Sequence, residues 1–186
     1  TGVQTCALPI STFGQTLFNP GYMGKSLVFV TALGIMPSKV KGKPSHEKKT
    51  SPGELIIMSG GRVGKDGIHG VTASSESYSE NTPAGHVQIG DPYTQKKMHD
   101  FLLICRDEGL IPFITDNGGG GLSSSIGESA MISNGCVVWL DKVPLKYEGL
   151  DMWEIWISES QERMTIAVKP ENLDRYMELS AEHEVE

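Results

Sequence analysis

The feature that most constrains this sequence is an alternation, from residue 54 onward, of short apolar segments with segments of helical periodicity. Apolar runs rich in β-branched residues predict strands, and apolar residues spaced three or four apart predict helices. The predicted strands are 26–35 (SLVFVTALGI), 54–58, 110–115, 136–140 and 163–168. The predicted helices begin at Pro92 or cover 122–134, 152–157 and 170–181. This alternation predicts an α+β fold with α/β-type layers, in which helices cover a mixed sheet.

The helix that begins at Pro92 carries the most complete set of local signals. Asp91 can cap its N-terminus, and Pro92 suits the first helical position, where a backbone N–H would have no partner in the helix. Apolar side chains then follow at helical spacing until Gly109: Met98, Phe101, Leu102 and Cys105. The same spacing on the last helix predicts a packed face made of Leu173, Tyr176 and Met177.

Composition excludes several classes of protein. The chain has 186 residues, 38% of them hydrophobic, which is enough for one core, and its formal net charge is -7. An acidic chain of this kind lacks the basic surface of a nucleic-acid-binding protein. The scattered cysteines Cys6, Cys105 and Cys136 predict neither a disulfide framework nor a zinc site, and favour the reducing cytoplasm. The apolar runs are too short to span a membrane, so we expect no membrane partner.

The two ends of the chain differ from the rest. Residues 1–10 (TGVQTCALPI) resemble the translation of a sequencing adapter and are excluded from the fold prediction. Residues 37–52 are rich in Lys, Gly and Pro and indicate a domain boundary. We therefore expect 11–50 to be the tail of one domain and 51–186 to form a second domain, incomplete at its end, where 182–186 (EHEVE) predicts the start of a strand.

Asp116 is the candidate metal ligand. It lies at the carboxyl end of a predicted strand, before the sequence NGGGGLSSS, where open α/β sheets commonly place ligand groups. One carboxylate with waters and phosphate oxygens is a normal Mg²⁺ arrangement, and the glycines and the following helix offer N–H groups to an anion. The alternative interpretation is a tight Asp-Asn-Gly turn without a ligand.

Three further segments hold polar side chains that suit a ligand. Residues 158–161 (SESQ) join a helix to a strand, Gln88 lies in VQIGDP before the best helix, and 60–70 (GGRVGKDGIHG) could surround a phosphate. Each has a simpler alternative: a solvated connector, a glutamine on a strand, and a glycine-rich turn. The third segment lacks the ending of a P-loop, and His69 within it is more often a packed residue than a ligand.

Taken together and in order, five motifs resemble the phosphoribosylformylglycinamidine synthase family of the aminoimidazole ribonucleotide synthetase superfamily. They are GGRVGKDGIHG, VQIGDP with TQKKMHDFL, TDNGGGGLSSSIGE, LDKVPLKYEGL and SESQERM. The resemblance covers most of 27–186 and implies the C-terminal domain of the aminoimidazole ribonucleotide synthetase-like fold. It also implies an ATP- and glutamine-dependent ligase that converts formylglycinamide ribonucleotide to the amidine in purine biosynthesis.

The resemblance implies roles for individual residues and partners. Gln88, Glu159, Ser160 and Gln161 would contact the ribonucleotide, Asp116 would bind Mg²⁺, and a glutaminase domain or subunit would supply ammonia. Arg62 and His69 lie in a family motif without a definite role. The family's N-terminal motif, with its histidine, ATP-binding lysine and magnesium-binding glutamate, is absent, as are the family's second half and glutaminase. No catalytic residue is therefore assigned, the ATP site would lie mostly elsewhere, and we expect the chain alone to be inactive.

Two alternatives remain open from the sequence. One is another enzyme of the superfamily, such as thiamine-monophosphate kinase or selenophosphate synthetase, against which SESQERM and VQIGDP argue. The other is a noncatalytic α/β module that binds a nucleotide or phosphate. Ligand binding with and without Asp116→Ala distinguishes an intact half-site from a remnant.

Overall fold

The fold is centred on one small sheet, seen in a computed structural model that describes residues 14–77 and 84–186. A short hairpin of β1 (Lys39–Val40) and β2 (Lys43–Pro44) precedes the strands β3 (Leu55–Gly60), β4 (Phe113–Asp116) and β5 (Arg163–Val168). The order is β3-β5-β4, and β5 is antiparallel to both neighbours. The predicted α+β class is confirmed, but the described strands pair only in antiparallel fashion, where the sequence predicted a mixed sheet.

Helices lie on both faces of this sheet. The described α-helices are α1 (Gly70–Ser74), α2 (Pro92–Glu108), α3 (Gly121–Ser133), α4 (Met152–Ile157) and α5 (Leu173–Glu182), of which α2 to α5 pack on the sheet. Short 3-10 helices occupy Pro20–Tyr22, Ala84–His86, Leu140–Lys142 and Pro170–Asn172. The predicted ends of α2 are confirmed, since the Asp91 carboxylate accepts the Tyr93 N–H and Gly109 ends the helix at φ 75°. None of the described helices is long and apolar enough to cross a membrane.

Alternation along the strands divides the apolar residues between two cores. The larger core packs α2 and α5 against one face of the sheet; its buried members are Phe101, Cys105, Leu110, Ile166, Val168, Tyr176, Leu179 and Val185. The second core packs α3 and α4 against the other face; its buried members are Val63, Leu122, Ile126 and Ile155. Full burial of a side chain such as Phe101 stabilises the fold by about 1.5–3 kcal/mol. The two cores hold the strands between helices, which fixes where the loops at the strand ends lie.

Two predicted strands are wrong. Residues 26–35 form neither helix nor strand and are exposed throughout, because no described strand pairs with them and β propensity alone cannot supply a partner. Residues 136–140 do alternate, with Val138 and Leu140 packed on the second core and Val137 and Trp139 exposed. The alternation therefore reflects packing on the second core, and the segment does not pair with any described strand.

Two further predictions need correction, one for the last helix and one for the residues that follow it. Met177 is 51% exposed and does not belong to the packed face, which is formed by the predicted Tyr176 together with Leu179, while Leu173 is half-buried. Residues 183–186 follow α5 as a turn and two residues without regular secondary structure, not as a strand. There Val185 is buried, and the Glu186 carbonyl accepts the Gly60 N–H at 2.6 Å, so this end covers the last residue of β3.

Candidate functional site

The antiparallel register brings the polar loops of the chain to one edge of the sheet. Gly60, the last residue of β3, pairs with Arg163, and Asp116, the last of β4, pairs with Met164. The carboxyl ends of β3 and β4 therefore flank the amino end of β5. The loops 61–69 and 117–120 leave the sheet where 158–162 enters it, which assembles three of the motifs in one place.

Glu159 connects the loops at this edge. Its side chain is buried, with the residue only 3% exposed. Oε2 accepts hydrogen bonds from the Val71 N–H at 2.9 Å and from Gln88 Nε2 at 2.8 Å, and Oε1 accepts the Gly120 N–H at 3.1 Å. One carboxylate thus satisfies donors from α1, from the VQIGDP segment and from the start of α3. The predicted site residues Gln88 and Glu159 are brought into direct contact.

Glycines make this close approach feasible. A Cβ atom at Gly70 would lie 2.9 Å from Glu159 Oε2 and 3.1 Å from Gln88 Nε2. At Gly67, where φ is 74°, it would lie 2.9 Å from the Glu159 carbonyl oxygen. A side chain at either position would separate the two segments, so the glycines of 60–70 allow the carboxylate and the amide to meet.

The two serines of the motif point into the protein. The Ser158 hydroxyl donates to the Gly64 carbonyl at 2.6 Å, and the Ser160 hydroxyl donates to Asp66 Oδ1 at 2.8 Å. The Ser160 oxygen also accepts the Gly64 N–H at 3.0 Å. The structure therefore places the predicted ligand residue Ser160, which is 1% exposed, in the interior, where its hydroxyl fixes the neighbouring loop.

Arg163 is a structural residue of the site that the sequence analysis did not single out. Its guanidinium is buried and donates to the carbonyls of Ser160 at 2.7 Å and Ser158 at 2.6 Å. Burial lowers the pKa of Arg163 to about 10, and the Asp66 carboxylate opposes that shift. The signal in the sequence is an arginine that opens an otherwise apolar strand.

Asp116 differs from these buried groups because its carboxylate is exposed. Oδ1 accepts the Gly118 N–H at 3.2 Å within the loop. Gly120 and Gly121 follow with φ values of 81° and 56°, which lead the chain into α3. In the described part of the chain no group of three or more His, Cys, Asp or Glu side chains could hold a metal ion. Any ion at Asp116 would complete its coordination with water or ligand oxygens.

The remaining candidates lie at the margin of the site. Gln161 is half-buried, and its Nε2 donates to the Glu159 carbonyl at 3.3 Å. Arg62 forms two 2.6 Å hydrogen bonds with the Glu186 carboxylate. His69 is exposed at the start of α1 with φ 59°, and its ring centroid lies 6.5 Å from that of His86.

Comparison with known proteins defines the class. Residues 51–186 match the family described as AIR synthase related protein, C-terminal domain, and the chain belongs to that family. It is similar to phosphoribosylformylglycinamidine synthase subunit PurL of Thermococcus gammatolerans, with 39% identity over 179 residues. PurL of Thermotoga maritima is 34% identical over 172 residues. The alignments cover 93% and 91% of this chain but 24% and 28% of those proteins, so the chain spans about a quarter of their length.

Solved structures give the same result. T. maritima PurL complexed with FGAR aligns with a TM-score of 0.68 and 37% identity, over 74% of this chain and 23% of that one. T. maritima PurL complexed with ATP aligns with a TM-score of 0.62 and 34% identity, over 75% and 21%. The resemblance inferred from the five motifs is confirmed, and the comparisons do not favour a thiamine-monophosphate kinase, a selenophosphate synthetase or a noncatalytic module.

Proposed function

We propose that this chain forms the substrate-binding wall of a phosphoribosylformylglycinamidine synthase. The whole enzyme would be an ATP-dependent carbon–nitrogen ligase that converts formylglycinamide ribonucleotide to the amidine with ammonia from glutamine. The observation that carries the proposal is the direct bond between Gln88 and Glu159, at an edge where three motif loops converge. A relative of this chain was solved with FGAR, which supports the choice of ligand.

The contact with Glu159 orients the Gln88 amide. A carboxylate can only accept hydrogen bonds, so the Gln88 nitrogen faces Glu159 and the amide oxygen faces away. The amide thus offers a second N–H and an acceptor oxygen to a ligand. A ribonucleotide has hydroxyl and amide groups of both kinds. Because Glu159 already fixes the Gln88 amide, ligand binding would not incur the entropic cost of ordering that side chain.

We assign Asp116 a role as one ligand of Mg²⁺, with waters and phosphate oxygens completing the coordination. Such an ion would neutralise charge during phosphoryl transfer from ATP to the amide oxygen of the substrate. Relatives solved with ATP, ADP and AMPPCP support nucleotide use. Most of the ATP site would lie outside this chain, so we expect the isolated chain to bind without turnover.

The wider assembly is also part of the proposal. A glutaminase domain or subunit would deliver ammonia, and the solved PurLQS complex from T. maritima supports such an arrangement. We propose a cytoplasmic location, without membrane or nucleic-acid partners. We place 51–186 in the C-terminal synthase domain, which the family match supports, and 11–50 in the tail of the preceding domain. Residues 1–10, interpreted as adapter sequence, lie outside the described residues.

Calorimetric titration of the chain with formylglycinamide ribonucleotide tests the wall directly. We expect measurable binding by the unaltered chain and a dissociation constant roughly tenfold higher for Gln88→Ala, because a ligand hydrogen bond is lost. Gln95→Ala, a matched change on α2, should leave the constant within about twofold. Equal affinity of Gln88→Ala and the unaltered chain would remove Gln88 from the site. Absence of binding by the unaltered chain would overturn the proposal that this wall binds alone.

A further inference from the structure

The segment 143–147 lies along the loop that contains Asp66, although the site proposed above does not use it. The Val63 N–H donates to the Pro144 carbonyl at 3.0 Å, and the Lys146 N–H donates to the Val63 carbonyl at 2.8 Å. The Lys65 N–H donates to the Tyr147 hydroxyl at 2.8 Å. These bonds hold the two segments in a fixed register, so the position of Lys146 relative to Asp66 is set by the backbone.

Lys146 forms a bidentate ion pair with Asp66. Its Nζ lies 3.0 Å from Oδ1 and 2.9 Å from Oδ2, and the Asp66 side chain is only 13% exposed. A carboxylate with so little water around it depends on its partner for stabilisation of its charge. Arg163 is the other nearby cation, and it is already bonded to the carbonyls of Ser158 and Ser160. Lys146 is therefore the cation that balances Asp66 directly.

The charge on Asp66 determines the direction of the Ser160 hydroxyl. Each hydroxyl has one hydrogen, and Ser158 uses its hydrogen on the Gly64 carbonyl at 2.6 Å. Ser160 donates to Asp66, which leaves its oxygen lone pairs to accept the Gly64 N–H. Without Lys146 the nearly buried Asp66 carboxylate would lack its counter-charge and would turn toward solvent. The Ser160 hydroxyl would then lose its acceptor, and its side chain, which also accepts the Gly64 N–H, would no longer be held in place.

The same loop is in contact with the proposed ligand residues. Gly67 follows Asp66 by one position, and a Cβ atom there would lie 2.9 Å from the Glu159 carbonyl oxygen and 3.0 Å from Gln88 Cγ. Ser160 itself adjoins Glu159 in sequence. A displacement of the loop by a few tenths of an ångström would therefore move Glu159 and Gln88 together.

We propose that Lys146 is a positioning residue for ligand binding, which acts through Asp66 and Ser160 to hold Glu159 and the Gln88 amide in place. The inference rests on the proposed function, since it takes Gln88 as a ligand contact. It assigns a role to the LDKVPLKYEGL segment, which the five motifs include without a function. Lys146 itself makes no contact with the ligand in this scheme.

The test compares three lysine variants of the chain by titration with formylglycinamide ribonucleotide and by NMR of the unliganded protein. Lys146→Met should raise the dissociation constant roughly tenfold and shift the Gln88 side-chain amide resonances, because the amide loses its fixed orientation. Lys146→Arg, which retains the charge and can also bond to both oxygens of a carboxylate, should remain within about twofold of the unaltered chain. Lys169→Met removes a lysine that lies 3.8 Å from Glu171 on the surface and should change neither readout.

Each outcome decides the inference. Unchanged affinity and unchanged Gln88 resonances in Lys146→Met would overturn it, as would an equal loss in Lys146→Arg, since the charge would then not be the cause. If the unaltered chain binds no ribonucleotide, the proposed function fails, and the resonances of the unliganded protein still decide whether Lys146 positions Gln88. Asp66→Asn provides a second variant should Lys146→Met fail to fold. It should shift the same resonances, and their persistence would contradict the scheme.

Discussion

The two glycine-rich loops at the edge of the sheet differ in what surrounds their acidic residue. Loop 61–69 is held by backbone bonds and by side chains, and within it Asp66 bonds to Lys146 and Ser160. Loop 117–120 is also held in both ways, since the Gly120 N–H donates to the Glu159 carboxylate and the buried Asn117 amide oxygen accepts from the hydroxyls of Ser125 and Thr165. In the first loop the Asp66 carboxylate bonds to partners within the protein, whereas in the second loop the Asp116 carboxylate is exposed to solvent. An exposed carboxylate such as that of Asp116 suits an external cation. A nearly buried carboxylate with internal partners, such as that of Asp66, suits the positioning of neighbouring residues.

The strongest test of loop 117–120 is Gly121→Ala, at the residue where the loop enters α3. Gly121 has φ 56°, and its Cβ would lie 2.0 Å from the Ser158 carbonyl oxygen. Left-handed backbone and overpacking together should lower the free energy of unfolding by about 3 kcal/mol. Gly127→Ala, in the same helix with nothing within 4 Å, should raise it by about 0.5–1 kcal/mol. Urea denaturation measures both, and equal midpoints would show that the loop does not depend on this contact.

Glu159→Gln removes the group that joins the two loops. The amide nitrogen of the new side chain would face an N–H donor, so at least one hydrogen bond would be lost and one donor buried without a partner. We expect a loss of about 2 kcal/mol in the free energy of unfolding. Glu171→Gln, at an exposed carboxylate, should cost less than about 0.5 kcal/mol in the same urea experiment. Similar losses in the two variants would refute the connecting role of Glu159.

Asp91 tests whether α2 is fixed independently of the loops. The Thr94 hydroxyl, followed by the Tyr93 N–H, lowers the pKa of the Asp91 carboxyl, against the effect of burial. A lowered pKa means that this contribution to stability is present above the ordinary value of 3.8 and is lost as pH falls through the folded-state pKa. Asp91→Ala should therefore cost about 1 kcal/mol at neutral pH and progressively less in acid.

The matched variant for this position is Asp91→Asn, which still caps the helix but does not titrate. Its stability relative to the unaltered chain should change with pH, while at neutral pH it should lie close to that of the unaltered chain. Thermal unfolding between pH 7 and acid measures the difference. If the loss of unfolding free energy in Asp91→Ala stays constant with pH, the ionised form of Asp91 does not cap α2.

Local signals predicted the elements that depend on local physics. The caps and spacing of α2 specify that helix within its own sequence, and the apolar run 163–168 is a strand because it is buried between two neighbours. The prediction of a strand at 136–140 was wrong because alternation indicates which side chains are buried but not which element packs against them. In this protein Val138 and Leu140 pack on the core that contains α3 and α4, and only the three-dimensional arrangement shows this.

The site was predictable to the extent that residue type and motif order reveal it. Gln88 and Glu159 were predicted and lie in contact, whereas the inward direction of Ser160 was not foreseeable from a polar connector. Arg163 bonds to carbonyls only three and five residues away, but a turn of the chain is needed to bring them to its guanidinium, and residue type alone does not indicate that turn. Lys146 bonds to a carboxylate that is distant in sequence, so no local pattern indicates its partner. Contacts across about 80 or more residues belong to the fold and not to any segment.

Asp116→Asn should have the smallest effect on stability and the clearest effect on ligand binding. The carboxylate is exposed and bonds within its own loop, so the free energy of unfolding should change by less than about 0.5 kcal/mol. Titration with Mg²⁺, followed through the amide resonances of 118–120, should show weak saturable shifts in the unaltered chain, because one carboxylate holds the ion with waters. The variant should lose these shifts, while Asp107→Asn, at another exposed carboxylate, should retain them. Identical titrations of the Asp116 variant and the unaltered chain would place the cation elsewhere and remove the functional distinction between the two loops.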